Sequence, residues 1–303
     1  MNDESLCRIG KTSGAKQMRT VLHDIILNDD DEELNDFFKD PSNKRMINEP
    51  DAIGWTPLHW ACSKGLKNSV SALLENGADP NKGTDYDGWT PAHDAARCGN
   101  SEILEMLAKA GANIETTTSS GTRPLHYAVQ YGRTKAMQWM CKEGCDVDAP
   151  NVAGWSPLHF AVRHGRVHAA HMLLDLGAVA NMPDKSGHTP EDLARITKDK
   201  IKKGILHLEE SVQLDDFEKI ADMLAEKTKA QRDAAVSMAK HALENADSHF
   251  EAEDYFGAIE HLQVARDEYA RVGMRDESAQ CSKRIAECEE LLEREQHHES
   301  STH

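Results

Sequence analysis

The chain has 303 residues and a formal net charge of −17, with low aromatic content (5%) and high charged content (29%). The charge is uneven: residues 1–204 carry −4 and residues 205–303 carry −13. The acidic last third argues against nucleic acid and anionic membrane surfaces as partners, and no apolar run reaches the length of a membrane span.

Residues 1–17 are polar and Gly/Ser-rich and read as a disordered segment. The opening M-N-D-E-S-L-C-R-I-G has no apolar h-region, so no secretory leader is expected. Residues 18–50 hold two short apolar-faced stretches around Val21–Ile26 and Leu34–Phe38. They read as a degenerate first unit with a polar outer side. The acidic loop 28–33 lacks the glycine and distal glutamate of a calcium loop and is expected to cap a helix instead.

From Gly54 a pattern sets in: G-W-T-P-L-H-W-A-C-S-K-G, then G-W-T-P-A-H-D-A-A-R-C-G from Gly88, G-T-R-P-L-H-Y-A-V-Q-Y-G from Gly121 and G-W-S-P-L-H-F-A-V-R-H-G from Gly154. A broken fifth copy, G-H-T-P-E-D-L-A, starts at Gly187, so the steps are 34, 33, 33 and 33 residues. A fixed period of this size marks a stacked repeat. Thr56, Thr90, Ser156 and Thr189 are good helix N-caps, followed each time by proline at the first helical position. A second apolar stretch ends each unit, as in S-A-L-L-E-N-G-A-D-P-N at 71–81.

These units resemble the ankyrin repeat, over roughly residues 18–196. The resemblance implies an all-α ankyrin-repeat solenoid: helix-turn-helix units with protruding finger loops, four full copies plus a C-terminal cap over 51–196. It also implies a concave groove that takes a protein or peptide partner.

Residues 197–211 form a charged linker or helix whose basic run, Lys198–Lys203, reads as a solvated face. Over 212–294 apolar residues recur at helical spacing, with helices expected at 212–229, 231–250, 254–272 and 275–294. Ala246, Ala258, Leu262 and Ala265 stand where tetratricopeptide units keep packing residues, and this part resembles such a module. A three-helix hairpin module and a plain helical bundle stay open beside it. Residues 295–303 read as a polar tail.

The chemistry-bearing side chains read mostly as structure. His59, His93, His126 and His159 come once per unit, too far apart to share an ion, and are expected to bridge backbone groups of adjacent turns. His164, His168 and His171 lack a completing ligand. Cys141, Cys145, Cys281 and Cys288 fall at packing positions, and seven scattered cysteines suit a reducing compartment, cytoplasmic with the nucleus open. No phosphate loop, nucleophile elbow or zinc motif is present. No catalytic residue, cofactor or metal site is expected.

The positions around the repeated histidine and at the finger tips carry the binding signal. They hold Trp55, Trp60, Lys64, Tyr86, Trp89, Asp94, Arg97, Arg123, Tyr127, Tyr131, Trp155, Phe160 and Arg163. Trp, Tyr and Arg anchor interfaces. The expectation is a non-enzymatic adaptor or scaffold that binds one protein in this aromatic, arginine-flanked groove and a second on the acidic C-terminal helices. The alternatives are a regulatory or targeting subunit of a separate enzyme, or a chaperone-associated tetratricopeptide-type adaptor.

Overall fold

The computed structural model describes residues 20–206, 212–272 and 274–301, with side chains described to Arg294. The expected disordered segment 1–17, residues 207–211 of the expected linker and the side chains of 295–303 lie outside the described residues. Among the described residues all regular structure is helical. The helices are α1 (Val21–Asn28), α2 (Asp31–Lys39), a 3-10 turn (Pro41–Met46), α3 (Pro57–Lys64), α4 (Lys67–Glu75), α5 (Pro91–Cys98), α6 (Ser101–Lys109), α7 (Pro124–Gln130), α8 (Thr134–Lys142), α9 (Pro157–Arg163), α10 (Val167–Asp175), α11 (Pro190–Lys202), α12 (Leu214–Glu251), α13 (Tyr255–Arg271) and α14 (Arg275–Ser301). They form two compact units, Met1–Ala221 and Asp222–His303.

In the first unit α1, α3, α5, α7, α9 and α11 pack side by side in chain order as one layer. Helices α2, α4, α6 and α8 form a second layer in the same order. Between them lies a continuous apolar seam of Leu58, Leu73, Leu104, Leu107, Leu125, Met137, Met140, Leu158 and Leu173, all fully buried. No unit could bury its own share alone; stacking does it. Helix α3 shows the local logic: Thr56 Oγ1 accepts from the His59 N–H, Pro57 takes the first helical position, and Gly65 ends the helix at φ +77°.

The two ends of this unit are closed differently. At the start, Thr20-Val21-Leu22-His23 repeats the cap of the full units, with Val21 in place of proline. At the far end Asp192 stands where the other units have histidine; its carboxylate accepts from the Thr189 N–H at 3.1 Å and the Thr189 hydroxyl at 2.8 Å. Beyond it, Val212 and Phe217 cover Gly165, where a Cβ would collide with Val212 and come within 3.2 Å of Phe217. In earlier units the same glycine is covered by the next unit: Arg133 covers Gly99 and Arg166 covers Gly132. The segment at 212–220 therefore takes the place of a sixth repeat, and Lys198 pairs with Glu218 beside it.

This corrects one expectation. A break near residue 230 does not occur: α12 is one helix of 38 residues, because Ala235, Ala239, Ala242 and Ala246 extend the buried stripe without interruption. The two compact units divide at Ala221/Asp222, inside that helix.

In the second unit three helices share a core of small side chains. Ala239, Ala242, Ala265, Tyr269 and Cys281 form one cluster; Ala246, Ala258, Leu262, Ile285 and Cys288 form the next. Asp254 caps α13 by accepting from the Gly257 N–H at 3.0 Å, and its other oxygen meets His249 Nδ1 at 2.7 Å.

Candidate protein-binding face

The repeated histidines are the scaffold of the face. In each, Nδ1 accepts from the N-cap backbone N–H: Thr20 to His23 at 3.3 Å, Thr56 to His59, Thr90 to His93 and Ser156 to His159 at 3.1 Å, Arg123 to His126 at 3.2 Å. That leaves the proton on Nε2, which donates to a carbonyl of the following unit: Trp55, Trp89, Thr122, Trp155 and His188, at 2.9, 2.9, 3.1, 3.1 and 3.4 Å. Five imidazoles thus each tie a helix start to one of five finger loops in series. Burial pushes the pKa of His59, His93 and His126 down to about 4 and lowers that of His159. The bridging role expected from sequence is the one found.

The finger loops are held tip to tip. Asp51, Asn151 and Asp184 each accept two backbone N–H bonds from their own loop. Neighbouring tips join through Ser119 N–H to Asp87 O at 2.7 Å, Val152 N–H to Ser120 O at 2.9 Å and Lys185 N–H to Ala153 O at 3.0 Å. On this edge Ile53, Tyr86 and Val152, one and then two repeat steps apart, are exposed by 40%, 94% and 59%.

The expected aromatic positions differ in exposure. Trp55, Trp89, Tyr127, Tyr131, Trp155 and Phe160 are half-buried. Trp89 packs edge-on against Tyr127 with ring centres 4.5 Å apart; Phe160 packs on His126 at 5.0 Å and Trp155 at 5.8 Å. Trp155 also donates its indole N–H to Asp184 at 3.1 Å. Lys64 is exposed at the end of α3.

Two expected members do not reach the surface. Trp60 is buried; it packs 4.8 Å from Trp55 and donates its indole N–H to Asp51 at 2.9 Å. Asp51 is itself buried and needs that donor, so the large ring is structural. Asp94 is completely buried and pairs with Arg97 at 3.2 Å. Its burial, which outweighs the Arg97 charge and the nearby Trp89 indole, raises its pKa to about 7.

The three arginines differ as well. Arg97 is committed to Asp94 and to Ser63 Oγ at 3.1 Å. Arg123 is committed to Glu115 at 2.5 Å and lies 3.7 Å from Asp146. Arg163 is half-buried at the end of α9, with no carboxylate partner among the described residues.

The cysteines and the acidic loop take structural positions. Among the described residues no cluster of histidines, cysteines and carboxylates could hold a metal ion, and no helix is long and apolar enough to cross a membrane. Cys62, Cys98, Cys141, Cys145, Cys281 and Cys288 are free thiols, and burial raises the pKa of Cys62, Cys141, Cys145, Cys281 and Cys288 away from the reactive range. Asp30 caps α2 by accepting from the Glu33 N–H at 2.9 Å, so the acidic loop is a helix cap. Sequence reasoning passed over a surface depression of about 410 Å³ on the second layer, lined by Glu105, Ala108, Lys109, Trp139, Lys142 and Glu143.

A stack of capped helix pairs, stapled through histidine and edged by finger loops, is an ankyrin architecture. A family model described as ankyrin repeats, in three copies, matches residues 22–118 and 111–184, together more than half of the chain. The chain belongs to the ankyrin repeat family. It is also similar to the BCL-6 corepressor-like protein 1 of Homo sapiens, at 37% identity over 75 residues. That match covers 25% of this chain and 4% of the human protein's length. The ankyrin stack gives the chain a protein–protein interaction role.

Proposed function

We propose that the chain is a non-enzymatic adaptor that holds a partner protein or peptide along the first-layer face of the ankyrin stack, between the ends of α3, α5, α7 and α9 and the finger tips. One observation carries this: the accessible large rings and apolar tips gather there. Tyr86, Trp89, Tyr127, Tyr131, Trp155 and Phe160 keep exposed surface at the finger-loop and first-helix positions of the repeats, and Ile53 and Val152 add apolar tips. Half-buried rings held by neighbours lose little entropy when a partner covers them, which is what an interface anchor needs. Lys64, Trp55 and Arg163 border the row; Arg97 and Arg123 shape it from inside through their ion pairs.

The second unit supplies the other half of the adaptor. Its helices are acidic and present Phe250 and Phe256 at the turn between α12 and α13, exposed by 42% and 68%. A tetratricopeptide-type hairpin that takes a second protein suits that surface. Isolated free thiols support a reducing compartment, the cytoplasm or nucleus.

The test is cross-linking mass spectrometry of captured partners with the full chain and with Tyr86, Tyr127 and Phe160 changed to Ala, circular dichroism confirming that the variant folds. Partners that cross-link to finger loops of the parent and vanish from the folded variant support the proposal. A folded variant that keeps every partner overturns it.

A further inference from the structure

The fold answers its own arginines in two places and leaves the third unanswered. Arg97 and Arg163 occupy the same register position, one helical turn after the residue that follows the repeated histidine. In α5 that residue is Asp94, and the pair closes at 3.2 Å with Arg97 largely covered. In α9 it is Phe160, an aromatic ring with nothing to offer a guanidinium. Arg123, at the N-cap of α7, is answered by Glu115 and Asp146. Arg163 is half-buried, and that partial withdrawal from water lowers its pKa from the usual guanidinium range. A half-desolvated cation without an anion is an unfavourable arrangement that a matching charge would relieve.

We propose that Arg163 is the anchor for a carboxylate of the partner, and that the partner segment is an acidic peptide with an apolar side chain next to its Asp or Glu. This rests on the adaptor reading above and adds the partner's chemistry to it. The carboxylate takes, in the fourth unit, the place that Asp94 fills from within in the second. The flanking apolar residue lies on Phe160 and Trp155, whose rings are 5.8 Å apart and half-exposed. Of the other groove cations, Arg97 and Arg123 are paired with carboxyl groups of the chain itself, and Lys64 is exposed. A bidentate guanidinium, already partly desolvated, therefore gives the strongest and most directional contact for an acid.

The experiment uses the full chain and a library of random peptides of about twelve residues displayed on phage. Enriched peptides are synthesised in pairs, with Glu or Asp and with the matching Gln or Asn, and their Kd values are measured by fluorescence anisotropy. Measurements cover the parent, R163Q, R163K, K135Q as a charge control on the second layer, and Y127A/F160A. The expected result is an acidic position in the enriched set, and at least a tenfold loss (about 1.4 kcal/mol) on going from Glu to Gln with the parent and with K135Q. With R163Q the same exchange has no effect, as a closed double-mutant cycle requires. Peptides that lack an acid, or an acid effect that is undiminished in R163Q, overturn the Arg163 assignment alone. Peptides that bind Y127A/F160A undiminished, or a library that yields no binder, overturn the groove reading and this inference with it.

Discussion

Acid should loosen the ankyrin unit well above the ordinary carboxylate range, because its staples are buried neutral histidines. His59, His93 and His126 have pKa values of about 4 in the folded chain against 6.5 when unfolded. Below pH 6.5 the unfolded chain takes up a proton at each that the folded chain refuses, so stability present above 6.5 is lost as pH falls. Each histidine costs about 1.4 kcal/mol per pH unit between 6.5 and 4. Asp94 works in the opposite sense. Its pKa is raised from 3.8 to about 7, so between those values the folded chain holds a proton that the unfolded chain lacks, and this offsets one histidine. The balance is about two protons, or about 2.7 kcal/mol per pH unit and about 4 kcal/mol from pH 6.5 to 5.0. His159, also lowered, adds in the same direction. Asp184 and Asp192, with pKa values held below 3.8, act only below this window. All five tryptophans lie in the first unit, so urea titrations followed by indole fluorescence report on it. Asp94→Asn should steepen the dependence to three protons, about 4 kcal/mol per pH unit. A parent whose stability changes by less than about 1 kcal/mol between pH 6.5 and 5.0, the equivalent of under one proton, would refute the reasoning; so would a variant no steeper than the parent.

Trp60→Phe removes the donor to buried Asp51 and should cost about 1–3 kcal/mol, read as a lower urea midpoint, while leaving partner capture intact. Phe217→Ala opens the end cap over Gly165 and should cost about 3–5 kcal/mol; hydrogen exchange at α9 and α11 should rise, and unchanged protection there would disprove the capping role. Ala246→Leu forces a larger side chain into a fully buried position between α12, α13 and α14 and should cost about 1–3 kcal/mol, seen as a lowered thermal transition by circular dichroism.

Much of the scaffold was written locally and could be read. Cap, proline, histidine and glycine sit within one turn of each other and do the same work in every unit, so their 33-residue recurrence spells out helix starts, helix ends and the staples. The same signal was present at Thr20–His23, where valine in place of proline hid it. What could not be read depends on partners far along the chain. Val212 and Phe217 look like the first apolar residues of a new module, and only their seat over Gly165, some 50 residues earlier, makes them the end of the old one.

The position after the repeated histidine shows why periodicity locates a face but does not say which side chains it offers. It holds Trp60, Asp94, Tyr127 and Phe160. Register alone puts all four in one row, yet the first two are buried and the last two half-exposed. The difference lies in each side chain's polar atoms. Trp60 turns in because Asp51 waits nine residues upstream, and Asp94 because Arg97 lies one turn on. Phe160 has no polar atom to satisfy and stays where the helix puts it. The consequence passes to the next turn, since an arginine that follows an aspartate is answered by the fold and one that follows a phenylalanine is not. In a stack whose structural contacts repeat, the departures from the repeat set the charge pattern of the face, and Arg163 is where no carboxylate among the described residues closes that pattern.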